Sequence, residues 1–201
     1  MVAAADTPFR VVGIGASAGG IEALLVVLAA LPPEFPHPVC VVLHIPAKGD
    51  DLLADVLDRR CALPVRTACQ AESLQAGQVY VAPSDRHLVV RGKVLGLTCG
   101  PKENGVRPAV DVLLRSLAAS SGSAAVAVVL SGALTDGAHG ARAVADAGGR
   151  VLVQDPADAR VTSMPRHAIE ETGGAAEVLS AVAIGAALGQ LHDRPLTGAG
   201  T

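Results

Sequence analysis

The sequence predicts an α/β fold: a single doubly wound domain with a mostly parallel sheet, helices on both faces and a small antiparallel hairpin. Short β-branched runs alternate with longer apolar runs of helical length, which is the pattern of repeated β–α–β units. Apolar residues make up 50% of the 201 residues. Charged residues make up only 17%, against roughly 25% in ordinary domains. This composition favours strands that are buried on both sides.

The first part of the chain contains four predicted strands and two predicted helices. Its first strand leads through a glycine-rich turn into a long apolar helix, which Pro32 and Pro33 end. Asp50 and Asp51 are placed to cap the second helix, whose acidic start and basic end suit the helix dipole. The predicted strands are 10–14, 39–43, 65–68 and 78–82, and the predicted helices are 21–31 and 52–60.

The second part begins with an antiparallel hairpin over 86–98, which turns at Arg91-Gly-Lys93 and which we expect to be appended to the sheet. The alternation of strands and helices then resumes. The predicted helices are 110–119, 138–147 and 181–191, and the predicted strands are 124–130 and 151–154. We expect residues 1–9 to form an N-terminal segment, 10–193 one domain, and 194–201 a C-terminal tail.

Composition excludes several classes of protein. A net charge of −3 and only three aromatic residues argue against nucleic-acid binding, because they leave neither a basic patch nor a stacking surface. The longest apolar helix, 21–31, is far shorter than the ~20 residues that span a bilayer. No signal-peptide pattern opens the chain, and the four cysteines occur singly, with Cys40 in an apolar run. We therefore expect a cytoplasmic protein that does not span a membrane.

The turn after the first strand fits two motifs. Gly13-x-Gly15-x-x-Ala18 matches the dinucleotide fingerprint, in which small residues let a pyrophosphate approach a helix N-terminus. Gly15-x-Ser17-x-Gly19 matches a nucleophile elbow, which holds a serine hydroxyl above the sheet beside backbone N–H groups. A tight turn without chemistry is the third reading, and this turn alone does not choose among them.

The residue after the second strand weighs against the dinucleotide reading. An acidic residue there would bind the ribose hydroxyls, but the chain has His44, a good general base. Ser17 and His44 each follow a strand of one β–α–β unit, so we expect them to meet at the carboxyl edge of the sheet. Asp136 follows the strand 124–130 and is the candidate acid that orients the imidazole. The order Ser, His, Asp differs from the Ser, Asp, His order of the α/β-hydrolases.

The remaining polar candidates are expected to be structural or on the surface. Asp85-Arg86-His87 follows a strand and favours a loop salt bridge over a substrate contact. Arg107 and Arg166 are substrate-side candidates for which a structural role is also favoured, and His139 is expected on the surface. No His, Cys or carboxylate cluster has metal-ligand spacing, so we expect no metal. Metal-ligand spacing is also absent around the other histidines, which are His37, His167 and His192.

From about Val11 to Leu191, the chain resembles the catalytic domain of the CheB-type protein-glutamate methylesterases of bacterial chemotaxis. The resemblance depends on six motifs in order. They are Gly15-Ala-Ser-Ala-Gly-Gly20, Leu43-His-Ile-Pro46, Tyr80-Val-Ala-Pro-Ser-Asp-Arg-His87, Arg107-Pro-Ala-Val-Asp-Val-Leu-Leu-Arg-Ser116, Leu130-Ser-Gly-Ala-Leu-Thr-Asp-Gly137 and Ser163-Met-Pro-Arg166.

The resemblance implies hydrolysis of glutamate γ-methyl esters on the cytoplasmic helices of chemoreceptors, with release of methanol and with deamidation of receptor glutamines beside it. It places the family's nucleophile, base and acid on Ser17, His44 and Asp136. Backbone N–H groups near Ala18 are candidate oxyanion donors, and Ala133 stands where the family has a methionine that lines the active site. This chemistry requires no metal and no organic cofactor.

The sequence departs from the family pattern in three places. The family usually carries a phospho-receiver domain before the catalytic domain, whereas about nine residues precede the first strand here, so we expect any phosphorylation control to come from a separate phospho-receiver protein. The common Gly-Met-Gly-Asn-Asp-Gly becomes Gly132-Ala-Leu-Thr-Asp-Gly137, in which Leu134 replaces a glycine. Ala18 replaces a threonine. A second hypothesis therefore stays open: a chemoreceptor-docking module of this fold with weak or no turnover.

Overall fold

The computed structural model describes residues 10–44 and 52–193. The predicted terminal segments, 1–9 and 194–201, lie outside the described residues, as do the capping pair Asp50 and Asp51, the end of the Leu43–Pro46 motif and the side chain of His192. The expectations for these residues and for the domain limits therefore stay predictions.

Seven parallel strands form the main sheet, in the order β3-β4-β2-β1-β7-β8-β9. The strand β1 lies at its centre, between β2 and β7, and every residue of these three strands is buried. The strands are β1 (Val11–Ala16), β2 (Val39–Leu43), β3 (Val65–Thr67), β4 (Val79–Val81), β7 (Ala125–Val129), β8 (Arg150–Gln154) and β9 (Glu177–Leu179). A separate antiparallel pair consists of β5 (His87–Arg91) and β6 (Val94–Thr98).

Helices cover both faces of the sheet and bury two apolar clusters against it. One face packs against α1 (Gly20–Ala29), α2 (Leu53–Asp58) and α6 (Ala181–Gly189). The other packs against α3 (Val110–Ser121), α4 (Ala138–Asp146), α5 (Ser163–Thr172) and the β5–β6 pair. Successive residues of β2 alternate between the two clusters, as a strand buried on both sides requires. The predicted α/β class, with its parallel sheet and antiparallel hairpin, is confirmed.

The structure differs from the sequence prediction in three elements. The hairpin packs on α3 and forms its own sheet instead of extending the main one. The helix α5 was not predicted. It contains Pro165 in its first turn, where the N–H that proline lacks would have no intrahelical partner. The strand β9 was not predicted either; it is three residues long, carries the exposed residue Glu177 and shows no clear alternation.

Two glycines inside β1 allow α3 to pack closely against the centre of the sheet. A Cβ atom on Gly13 would meet the side chains of Leu117 and Leu114, and one on Gly15 would overlap Val110. Both glycines are therefore explained by helix packing within a strand, and not by the approach of a phosphate to a turn. This contact removes the main support for the dinucleotide reading.

Substituting Gly15 by alanine should destabilise the fold. The new Cβ would lie 2.7 Å from Cγ2 of Val110, and overpacking of this kind costs about 1–3 kcal/mol of unfolding free energy. The double variant Gly15→Ala/Val110→Ala should recover part of that loss, as measured by urea denaturation. Gly100→Ala is the control, because its Cβ meets nothing closer than 3.9 Å. Equal unfolding free energies for the wild type and Gly15→Ala would contradict this account of the packing.

Candidate active site

The three predicted site residues follow the three central strands of the sheet. Ser17 follows β1, His44 follows β2, and Asp136 lies in the loop between β7 and α4. On one side of β1 lie β2, β4 and β3, and on the other side lie β7, β8 and β9. The topological switch point, at which open α/β sheets place their sites, is therefore at β1. The parallel register of β2, β1 and β7 brings their carboxyl ends together at one edge.

Ser17, His44 and Asp136 form a continuous hydrogen-bonded chain. The Oγ atom of Ser17 lies 3.0 Å from Nδ1 of His44, and Nε2 of His44 lies 2.7 Å from Oδ2 of Asp136. An ionised carboxylate only accepts, so Nε2 carries the proton and Nδ1 is left to accept from the serine hydroxyl. Burial rises along the chain: Ser17 is half-buried, the His44 side chain is 13% exposed and that of Asp136 is 1% exposed.

The carboxylate of Asp136 is ionised in spite of its burial. Burial raises the pKa of this carboxyl, but hydrogen bonds from His44 and from the backbone N–H groups of Asp111 and Val110 outweigh it, so the pKa lies below its ordinary value. These two N–H groups are 3.0 and 2.7 Å from the carboxylate oxygens, and the amide of Asn104 is 2.9 Å from Oδ1. The imidazole therefore faces a fixed negative charge, which stabilises an imidazolium.

Asp136 and Asp111 cap each other's helices. Asp136 lies just before α4 but accepts from the first two N–H groups of α3. Asp111 lies in the first turn of α3, and its Oδ1 accepts from the N–H groups of Gly137 (3.0 Å) and Gly140 (2.7 Å) at the start of α4. Helix N-termini attract negative charge and have free N–H donors. This exchange of caps restrains the orientation of Asp136.

Ser131 fixes the turn that carries Ser17. Its carbonyl accepts from the N–H of Ser17 at 3.0 Å, and its hydroxyl lies 3.0 Å from the carbonyl of Ala18. The N–H of Ser131 donates in turn to Gln154, and Gln154 donates to Asp158, each at 2.8 Å. Gln154 is buried at the end of β8, so the nucleophile turn is tied to the neighbouring part of the sheet.

The loop over 131–137 borders Ser17. A Cβ on Gly132 would lie 2.9 Å from Cβ of Ser17 and would also meet Sδ of Met164, so only glycine fits there. The N–H of Gly132 donates to the carbonyl of Val161. Among the described residues, the N–H groups of Ala18 and Ala133 have no acceptor. Both residues therefore have a backbone donor near Ser17 that is free among the described residues.

Leu134 takes the backbone conformation that a glycine would take. Its φ is 66°, in the left-handed region, and its side chain is exposed. The carbonyl of Leu134 accepts from the hydroxyl of Ser163 at 2.9 Å, which anchors the loop to the start of α5. The loop thus has a left-handed residue at the position where the family pattern has a glycine, although the residue is leucine.

The remaining candidates have structural or surface positions. Arg107 forms an ion pair with Asp85 at 2.6 Å, and this bond lowers the pKa of Asp85. His87 is buried: its Nδ1 accepts from the N–H of Ala109, and its Nε2 lies 2.9 Å from the carbonyl of Pro101. His139 and Arg166 are exposed. In the described ranges, no group of three or more His, Cys, Asp or Glu side chains is arranged to hold a metal ion.

Other features bear on the membrane and on thiol chemistry. No helix within residues 10–44 and 52–193 is long and apolar enough to cross a membrane. Burial raises the pKa of the Cys40 thiol to about 12, so this residue is an inert part of the core, as predicted.

Sequence reasoning missed four residues that shape the site. The dipeptide Asn104-Gly105 signals a tight turn, but nothing in it shows where the asparagine side chain points. Asp111 lies inside a motif that was quoted for the resemblance, where a first-turn carboxylate has the ordinary role of favouring its own helix. Ser131 and Gln154 act through hydrogen bonds between segments distant in sequence, which a sequence pattern does not record.

The parallel sheet, with the hydrogen-bonded side chains of Ser17, His44 and Asp136 at its carboxyl edge, has the architecture of an α/β enzyme with its site at a topological switch point. The CheB methylesterase family model matches residues 12–188 of this chain, so the chain belongs to that family. The resemblance stated from the sequence is confirmed, and with it the enzyme class, a protein-glutamate methylesterase, at the level of the family.

Individual relatives agree with this assignment. The chain is 39% identical over 193 residues to the protein-glutamate methylesterase/protein-glutamine glutaminase of Mesorhizobium japonicum, covering 96% of this chain and 57% of that one. It is 41% identical over 187 residues to the protein-glutamate methylesterase FrzG of Myxococcus xanthus, covering 92% and 56%. The crystal structure of the Thermotoga maritima CheB methylesterase catalytic domain matches with a TM-score of 0.85 and 37% identity, covering 91% of this chain and 98% of that one.

Acid should destabilise the fold through Asp136. The pKa of Asp136 in the folded state lies below its value in the unfolded chain, which is about 3.9. The stability that the ionised carboxylate contributes is therefore present above about pH 4. It is lost as the pH falls through the folded-state pKa. Between about pH 4 and pH 2, the free energy of unfolding should therefore fall less steeply in Asp136→Asn than in the wild type. Urea denaturation across this range measures the slope. Asp55→Asn, exposed on α2, is the control, and equal slopes for Asp136→Asn and the wild type would contradict the assignment.

Proposed function

We propose that this chain is a serine hydrolase that removes methyl esters from glutamate side chains on the cytoplasmic helices of chemoreceptors and releases methanol. Deamidation of receptor glutamines is the second reaction that we assign to the same site, and the cytoplasm is the proposed compartment. The observation that carries the proposal is the hydrogen-bonded chain from Ser17 through His44 to Asp136. The relatives, which are protein-glutamate methylesterases, supply the substrate class.

The reaction proceeds in two steps. His44 Nδ1 takes the hydroxyl proton as Ser17 Oγ attacks the ester carbonyl, and the negative charge of Asp136 stabilises the imidazolium that forms. The tetrahedral intermediate collapses, the proton passes to the departing methoxide, and methanol leaves a glutamyl ester on Ser17. Water then attacks this ester with His44 as base, which returns the serine and leaves a glutamate carboxylate.

Backbone donors are in place for the developing oxyanion. The N–H groups of Ala18 and Ala133 flank the nucleophile and have no acceptor among the described residues. The N–H of Ser17 itself is held by the carbonyl of Ser131, so we assign the oxyanion hole to Ala18 and Ala133. Donors fixed in this way stabilise charge without reorganising during the reaction.

The exposure of the site suits an ester on a flexible side chain. Ala18 and Leu134 are exposed beside the half-buried Ser17, so an ester group at the end of a side chain reaches the hydroxyl from solvent. A glutamyl ester that projects from a receptor helix meets this requirement without unfolding the helix. The backbone amides of the same helix are hydrogen-bonded within it and cannot reach Ser17.

Replacing Ser17 by alanine should abolish methanol release. Loss of a triad serine costs at least about 10⁴-fold in turnover, because no other group can form the ester intermediate. The measurement is methanol released from a methyl-esterified receptor cytoplasmic fragment. Ser180→Ala is the matched control, because this serine caps α6 on the opposite face of the sheet from α3 and α4. No release by the wild type, alone or with a phosphorylated receiver protein added, would contradict the proposal.

The docking-module hypothesis requires that Leu134, which replaces a glycine of the family pattern, distorts the loop. Leu134 has the positive φ that a glycine would adopt, and Asp136 two residues later keeps its hydrogen bond to His44. A non-glycine residue in this region is uncommon but accessible, whereas a β-branched residue there is a genuine outlier. These observations favour turnover over docking alone.

Substitutions of Leu134 should separate the two hypotheses. Leu134→Gly should leave the kcat of methanol release within about threefold of the wild type, because both residues accept a positive φ. Leu134→Val should lower kcat, because a β-branched side chain opposes this conformation and moves the loop. Steady-state kinetics on the receptor fragment measure both effects. A rise in kcat well above this range for Leu134→Gly would show that the leucine impairs turnover and would favour the docking module.

A further inference from the structure

We propose that Asn104 is a positioning residue for the reaction: its side-chain amide bridges the carboxylates of Asp136 and Asp111 and so holds Asp136 against His44. The inference rests on the proposed function, because it concerns the acid of the proposed triad. It adds a fourth side chain to the site, from a turn that lies outside the three strands that carry the other residues.

The backbone of the turn accounts for an asparagine at this position. Glu103 and Val106 exchange two hydrogen bonds, at 3.1 and 2.9 Å, around Asn104 and Gly105. Both central residues have positive φ, 52° and 78°, as the two central positions of a type I′ turn require. Asparagine and glycine are the residues that adopt this conformation most readily. Glycine at position 104 would serve the backbone equally well, so the turn alone does not require an amide.

The direction of the side chain is the observation that carries the inference. The Nδ2 atom of Asn104 lies 3.0 Å from Oδ2 of Asp111 and 2.9 Å from Oδ1 of Asp136. An amide nitrogen has two hydrogen atoms, one for each carboxylate. Both acceptors are buried, with 2% and 1% of their surface exposed. The amide therefore reaches from an exposed turn to two buried carboxylates.

These two carboxylates have only neutral donors besides the imidazole. Their other partners are the backbone N–H groups at the starts of α3 and α4. Within residues 10–44 and 52–193, no lysine or arginine forms an ion pair with Asp111 or Asp136. Two like charges in contact with one nitrogen repel each other, and the shared amide opposes this repulsion. Without the amide, this repulsion would turn the carboxylate of Asp136 away from Asp111 and out of its alignment with His44.

The amide holds the carboxylate of Asp136 at the oxygen that does not contact His44. Asn104 contacts Oδ1, whereas His44 contacts Oδ2. Restraint at both oxygens sets the plane of the carboxylate and thereby the direction in which Nδ1 of His44 faces Ser17. Since Asn104 contacts the acid and not the nucleophile, its loss should lower the rate of the chemical step and leave substrate binding unchanged.

The test is Asn104→Gly, which removes the amide and keeps a residue that accepts the positive φ. We expect kcat for methanol release to fall by about 10- to 100-fold, the range for one hydrogen bond to a charged group, with KM unchanged. The low-field proton NMR signal of His44 Nε2–H should also shift or broaden, which a loss of turn stability alone would not cause. Asn104→Asp, which also tolerates the turn but adds a third carboxylate, should lower kcat further.

Gly105→Ala is the matched control, because it strains the same turn at a position with nothing within 4 Å and leaves the amide in place. It should keep the wild-type kcat and the wild-type proton signal. Wild-type kcat and an unchanged signal in Asn104→Gly would overturn the inference, as would an equal loss in Gly105→Ala. If the wild type released no methanol, alone or with a phosphorylated receiver protein, the proposed function would fail. The His44 proton signal in Asn104→Gly would still decide whether Asn104 positions Asp136.

Discussion

The burial of an ionised carboxylate at Asp136 is the constraint on which the rest of the site depends. A charge removed from water is tolerated only where hydrogen bonds replace its hydration. Here the donors come from the end of β2, the turn around Asn104 and the start of α3. Each donor belongs to a different part of the fold, so the site forms only when all of these parts are folded.

The glycines of β1 connect this constraint to the sheet. With no side chains at Gly13 and Gly15, α3 lies close against the central strand, and its first N–H groups reach the carboxylate. Asp111 in turn holds the start of α4, the helix that directly follows Asp136. The acid of the site thus lies between two helix N-termini, and their dipoles favour its ionised form. The packing of apolar residues on this face therefore has an electrostatic consequence at the edge of the sheet.

The sequence was informative where function follows strand order. The alternation of strands and helices placed Ser17, His44 and Asp136 at one edge, because parallel strands share the direction of their carboxyl ends. It was less informative where contacts cross the fold. The direction of the Asn104 side chain, the bond from Ser131 N–H to Gln154 and the short strand β9 depend on neighbours distant in sequence. Their local patterns are those of an ordinary turn, core residue or coil. Leu134 was ambiguous for a related reason, since its backbone conformation is set by the loop around it and not by its own preference.

The orientation of the imidazole has a consequence for chemical labelling. In the chymotrypsin arrangement, Nε2 of the histidine faces the serine and Nδ1 faces the aspartate, whereas in this chain Nδ1 faces Ser17 and Nε2 faces Asp136. An alkylating reagent delivered to Ser17 by a substrate-like group would meet Nδ1, the ring nitrogen nearer to the backbone. The modified histidine would then be the regioisomer opposite to the one formed in a chymotrypsin-like protease. The position of the adduct would therefore show which ring nitrogen of His44 faces Ser17.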